Sequence, residues 1–130
     1  MISFKKGGWN YGNRIDISEL GKQIYIQEVI ELINKNQFYI IPREKNKNFI
    51  YKYKLDYIII KQMLLSLEKD DIKYQVEDIE YTKYGSAPLV VFKKQFHLID
   101  MFGNDKNEIV YIKIKMNKEK MPVISFHLNE

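Results

Sequence analysis

An α+β domain, with two N-terminal helices packed on a small antiparallel β-sheet, is what this sequence predicts. Three observations carry the reading. Two stretches in the first half space their apolar residues at the helical period. Three stretches in the second half alternate apolar and polar residues. A chain of 130 residues, 45% of them hydrophobic, is long enough for one core. Helices followed by strands, without strict alternation, favour helices gathered on one face of an antiparallel sheet.

Residues 1–22 mix Gly7, Gly8 and Gly12 with Trp9, Tyr11 and Arg14 and hold no period, so they read as an arm or irregular lead-in before a domain spanning 23–130. "YIQEVIELINKN" sets Ile26, Val29, Ile30 and Ile33 on one helical face, with Asn34 and Asn36 as terminators. "QFYIIPRE" is aromatic and β-branched and reads as a strand ended by Pro42. "NKNFIYKYKL" reads as a second short strand or a loop. Asp56 is placed to cap "YIIIKQMLLSLEKDD", where Ile59 or Ile60, Met63 or Leu64, and Leu67 share a face. After Asp71 the character turns to β. "PLVVFKKQFHLID" puts Val90, Phe92, Phe96 and Leu98 inward, "GND" marks a turn, and "EIVYIKIKM" sends Val110, Ile112, Ile114 and Met116 inward. "PVISFHL" gives Ile124, Phe126 and Leu128 the same role, completing a three-stranded meander.

The chain has no cysteine, which excludes disulfides, thiolate metal sites and cysteine nucleophiles. No carboxylate pair or histidine cluster points to a metal, and no glycine-rich loop to a nucleotide cofactor, so none is expected. No apolar run has signal-peptide or membrane-spanning length, so a cytoplasmic protein without membrane attachment is expected. The net charge of +4 is concentrated: within 35–54, Lys35, Arg43, Lys45, Lys47, Lys52 and Lys54 face only Glu44. A local basic stretch points to a phosphate-bearing partner, although lysine-rich solvated surface has the same composition.

Alternation assigns the other sheet face to Val91, Lys93, Gln95, His97 and Ile99, then Ile109, Tyr111, Lys113 and Lys115, then Val123, Ser125 and His127. Keeping even residues of the last hairpin inside, with its turn at "NKEKM", sets Tyr111 opposite His127 and Lys113 opposite Ser125, and a slip by one allowed step leaves His127 diagonal to Tyr111. The same argument at the first hairpin brings His97 near Lys113, so both histidines would flank the central strand, roughly 10 Å apart. An imidazole that titrates near neutrality can move a proton, a lysine can stabilise charge on phosphate oxygens, and a tyrosine can orient a phosphate. These parts suit attack of an RNA 2′-hydroxyl on its own phosphate without a metal. Each residue type is also ordinary on a solvated strand.

From Phe38 to Leu128 the order of motifs resembles the MqsR-like family of type II toxin–antitoxin toxins, mRNA endoribonucleases of RelE-like fold. The resemblance runs through "FYIIPREKN", "LDYIIIKQMLLSL", the acidic bend "DDIKYQVED", "YGSAPLVVFKK", "IVYIKIKM" and the closing "VISFH". It implies catalysis by His127 as the terminal basic residue and by Tyr111 on the strand before it. Lys113 and Lys94 would stabilise charge, with Lys93 as the alternative to Lys94. The lysine of the acidic bend falls on Lys73 or, equally well, its place is taken by Tyr74. Arg43 and Lys45 match the family's basic segment and would contact RNA; strand alternation, not the resemblance, adds Lys115 and His97 to that surface. The family's strand glutamine, tryptophan and glycine have no counterpart, and "QFHLIDMFGND" is longer than the family's hairpin, so His97 lies in an insertion. The implied partners are mRNA, on or off the ribosome, and a cognate antitoxin protein. A non-catalytic RNA- or protein-binding module of a phage or mobile element, using the same sheet face, is the competing expectation.

Overall fold

The computed structural model describes residues 5–6, 9–78 and 87–129, with side chains for 14–77 and 87–129. The start of "YGSAPLVVFKK" and parts of the N-terminal arm lie outside the described residues. Helix α1 (Glu19–Asn34) begins at Ser18, whose hydroxyl accepts the Gly21 N–H at 3.0 Å. Asn36 ends the run at φ 58°, a left-handed conformation that asparagine tolerates. Val29, Leu32 and Ile33 form its buried stripe.

Strand β3 (Phe38–Ile40) leads into helix α2 (Glu44–Lys52), where the sequence predicted a short strand or a loop. Phe49, Tyr51 and Tyr53 alternate like a strand, but the buried stripe is Asn46, Phe49 and Tyr53, at helical spacing with a polar member. Lys54 at φ 50° closes the helix as the Leu55 N–H returns to the Ile50 carbonyl at 3.0 Å. Asp56 caps helix α3 (Tyr57–Leu65), accepting the Ile59 N–H at 2.9 Å. Ile60 is buried and Ile59 exposed, Met63 and Leu64 are both buried, and Leu67 is buried as expected.

The other strands are β1 (Lys5–Lys6), β2 (Trp9–Ile15), β4 (Ile72–Asp78), β5 (Leu89–Ile99), β6 (Asp105–Lys115) and β7 (Met121–Leu128). The sheet runs β1-β2-β4-β5-β6-β7-β3. The α+β class therefore stands, with three α-helices among the described residues instead of two. The sheet is mixed: β5–β6–β7 is the expected antiparallel meander, and β3 joins β7 in parallel. The lead-in read as irregular supplies β1 and β2, and β2 pairs antiparallel with β4. Parallel and edge pairings depend on partners distant in sequence, which local periodicity cannot report.

The helices and one sheet face enclose the main core, including Phe38, Phe49, Ile60, Leu64, Phe92, Ile112 and Phe126. Phe126 meets Phe49 edge-on with ring centroids 5.3 Å apart. Tyr53 is buried there, its hydroxyl donating to Glu108 Oε2 at 2.6 Å. A smaller cluster on the opposite face comprises Ile41, Val76, Leu89, Val91 and Ile124, with Tyr39, Tyr74 and Tyr111 packed against it. Ile124 was expected in the main core. A β-bulge where Lys113↔Ser125 gives way to Ile114↔Val123 reverses the alternation, so Val123 turns inward and Ile124 outward.

Candidate functional site

Tyr111 and His127 are direct partners across β6 and β7. Their rings stack with centroids 5.5 Å apart and planes inclined by 24°. His127 Nδ1 lies 2.9 Å from the Leu128 carbonyl oxygen. A carbonyl only accepts, so this contact assigns the proton to Nδ1 and leaves Nε2 as the basic nitrogen of the neutral ring. Lys113 Nζ lies 5.7 Å from the Tyr111 ring centroid and Lys93 Nζ 6.0 Å, both at cation–π range. Stacking and flanking cations thus hold the phenol and the imidazole as a unit.

Helix α2 shapes the edge of this unit. The β3–β7 ladder stops at Ile40↔Val123, and beyond it no strand among the described residues pairs with the outer edge of β7. The fully buried Asn46 takes the place of one. Its Oδ1 accepts the Phe126 N–H at 2.8 Å, and its Nδ2 donates to the Ile41 and Ile124 carbonyls at 2.9 Å each. Arg43 Nη1 adds bonds to the Ile124 carbonyl at 3.2 Å and to Ser125 Oγ at 3.0 Å. The bulge carbonyl thus receives two donors, and the guanidinium is fixed at Ser125, one same-face step before His127. Nothing in the sequence pattern marks Asn46, because a buried asparagine reads as an interruption of an apolar stripe.

Among the other candidates, Lys113 and Lys115 occupy the predicted face but are only 2% and 0% exposed, not solvated as expected. Both have interaction partners, as buried cations require. Lys94 is not part of the constellation. It pairs with Val110 on the helix side and forms ion pairs with Asp71 at 3.2 Å and Glu68 at 3.7 Å. Lys93, its alternative, carries the position on the Tyr111 face. Lys73 is exposed near the start of β4, with Nζ 3.5 Å from the Asp70 carbonyl, away from β7.

His97 also lies apart, opposite Asn107 instead of near Lys113. Its Nδ1 is 3.1 Å from Asn107 Oδ1 and its Nε2 3.3 Å from Asp105 Oδ1, with the side chain 61% exposed. It sits four residues beyond Lys93, the partner of Tyr111, or about 13 Å along the strand. The cause is the tight hairpin tip. Asp100 accepts the N–H groups of Phe102 and Asn104 at 2.9 Å each, and Gly103 adopts φ 84°. The strands therefore begin pairing at Ile99↔Asp105, three residues earlier on each strand than the expected register.

Beside the histidine, a groove of about 230 Å³ runs between α2 and the end of β7, lined by Lys45, Asn48, Phe49, Lys52, His127 and Leu128. His127 is 9% exposed, so this groove is an approach to its ring. Lys45 is thereby brought to the site, and Lys52 and Asn48 join it from outside the predicted set. A larger groove of about 720 Å³ lies along α1, where Gln23, Ile26, Ile30 and Leu67 line it. It contains neither histidine, and its Lys35 is already paired with Glu31, so the phosphate chemistry is better served beside His127. Among the described residues, no three of His, Cys, Asp or Glu gather as a metal cluster, and no helix is long and apolar enough to cross a membrane. No protein-family model matches the chain, and no curated protein sequence matches it.

Proposed function

We propose that the chain is the toxin of a type II toxin–antitoxin system, a cytoplasmic mRNA endoribonuclease that works by 2′-hydroxyl attack without a metal. The observation that carries the reading is the stacked Tyr111–His127 pair, with Arg43 anchored one step away. His127 Nε2 takes the proton of the 2′-hydroxyl as that oxygen bonds to the adjacent phosphorus. The P–O5′ bond breaks, and the 5′ oxygen leaves as a hydroxyl with a proton returned from the imidazolium or solvent. The products are a 2′,3′-cyclic phosphate and a 5′-hydroxyl end. Tyr111 orients the phosphate, and Arg43 and Lys93 stabilise charge on its oxygens. Helices on one face of a β-meander are compatible with a RelE-like arrangement, which belongs to the same proposal, as does a cognate antitoxin.

The burial of Lys113 and Lys115 favours a second reading, since a catalytic face would present its cations to substrate. In that case the chain is a non-catalytic RNA- or protein-binding module of a phage or mobile element. Expression of wild type, His127→Ala and His97→Ala from a repressed promoter, with growth followed and new RNA 5′ ends mapped, separates the two. The ribonuclease arrests growth and leaves recurrent cuts. His127→Ala lowers cleavage by about 10²- to 10⁴-fold, and His97→Ala leaves it unchanged. Intact RNA in every culture, with soluble protein present, puts the binding module first.

A further inference from the structure

The basic helix beside His127 invites a question that the proposed reaction leaves open, namely where the rest of the RNA lies. The sheet face does not offer its central cations, because Lys113 and Lys115 are enclosed. The α2 groove does. Lys45 and Lys52 are seven residues apart, so they share one side of the helix, about 10 Å apart along its axis. Asn48 lies between them with an amide that both donates and accepts, Phe49 forms the apolar wall, and His127 closes the other side. From 43 to 54 the chain carries Arg43, Lys45, Lys47, Lys52 and Lys54 against Glu44 alone, which suits a polyanion.

A second observation extends the groove. The Met101 N–H donates to the Lys52 carbonyl at 2.7 Å, fastening the β5–β6 tip to the end of α2. The next residue, Phe102, is 81% exposed, although its backbone is held by Asp100. An exposed aromatic ring on a fixed backbone, one residue from the contact with α2, offers a face on which an unpaired base can stack.

We propose that α2 and the β5–β6 tip form a track for single-stranded RNA leading away from the scissile phosphate. Lys45 and Lys52 contact successive stretches of backbone, and Phe102 stacks on a base. The track rests on the ribonucleolytic reading of His127, whose reacting phosphate marks one end of it.

The test measures binding of a short fluorescent 2′-O-methylated RNA, which has no 2′-hydroxyl to react, across a salt series. Lys45→Ala/Lys52→Ala is expected to weaken binding by tenfold or more and to flatten the slope of log affinity against log salt by about 1.4, or about 0.7 per lost contact. Lys45→Arg/Lys52→Arg is expected to bind like wild type, which guards against misfolding as the cause. Phe102→Ala is expected to weaken binding between about fivefold and about a hundredfold. Lys61→Ala/Lys118→Ala removes the same charge elsewhere and is expected to change affinity less than twofold. Equal losses in the two alanine pairs would overturn the track, as would no loss in either or no binding by wild type. Cleavage of unmodified RNA is scored separately. Loss of affinity on Lys45→Ala/Lys52→Ala with no cleavage by wild type keeps the track and sinks the ribonuclease. Cleavage with affinity unmoved does the reverse and leaves the groove to a protein partner.

Discussion

Strand β6 meets two different environments. Toward the helices it buries Val110, Ile112 and Ile114 in the main core, while toward the other side it presents Tyr111 and encloses Lys113 and Lys115. The first face gains roughly 1.5–3 kcal/mol for each apolar side chain taken from water. On the second face, desolvation of each ammonium offsets much of what its partners return. The helix side thus explains why the chain folds, and the opposite side holds groups that folding alone does not need. The Tyr111–His127 pair belongs to the costly side, and the α2 groove reaches it from the edge of β7.

The largest effect that tests this contrast is on packing. Phe126→Ala should cost about 3–5 kcal/mol, since the residue is fully enclosed and meets Phe49. Tyr111→Ala, on the strand opposite, should cost only about 1–2 kcal/mol, the worth of partial burial and one stacked pair. Urea denaturation reads both, and equal losses would erase the distinction between the faces. Next, Asn46→Ala should cost about 3 kcal/mol by stranding the Phe126 N–H and removing one of the two donors at each of the Ile41 and Ile124 carbonyls, with a lowered urea midpoint as the readout. A loss under 1 kcal/mol would mean that water replaces the amide and that the edge of β7 is open.

The third effect is alkaline. Burial, and then the hydrogen bond to Glu108, push the Tyr53 hydroxyl up to about 12. Unfolded tyrosine ionises near 10, so the unfolded state releases its proton first as pH rises. This stabilisation is therefore complete below about pH 10 and is lost as pH climbs to about 12, a change on the order of 2 kcal/mol. Denaturation at a series of alkaline pH values should show the decline, and Tyr53→Phe should flatten it. The smallest effect concerns Lys94. Its ion pairs are partly exposed, so Lys94→Ala should cost about 1 kcal/mol or less. RNA affinity should stay within twofold, because Lys94 lies outside the groove between α2 and His127 and is held by Asp71 and Glu68. A large loss of affinity would extend the site to Lys94.

Much of the meander was legible in the sequence because one face is apolar and strand alternation has a fixed period. Parity, with the turn set at "NKEKM", placed Tyr111 opposite His127. Parity fails at Ile124, where a bulge adds one residue, while at His97 parity holds and the register differs, because Asp100 tightens the hairpin. Helix α2 was hidden because its buried stripe includes Asn46, whose value lies in the β7 backbone it bonds. Lys113 and Lys115 were read as solvated because a pattern counts charge as exposure. Nothing local in the sequence marks Lys52 and Asn48, because only the folded chain brings α2 beside His127.

The parallel pairing of β3 with β7 also governs the order in which the molecule can be made. Synthesis delivers Phe38 long before Met121, so β3 emerges from the ribosome without its ladder partner and must wait for the last strand. The stretch that supplies this partner also carries Ser125 and His127 and completes the edge of β6. A nascent chain therefore gains its finished sheet and its histidine together, and no earlier intermediate on the ribosome holds the assembled pair. For a protein proposed to cut messages, reactivity then arrives only once the codons of β7 have been read.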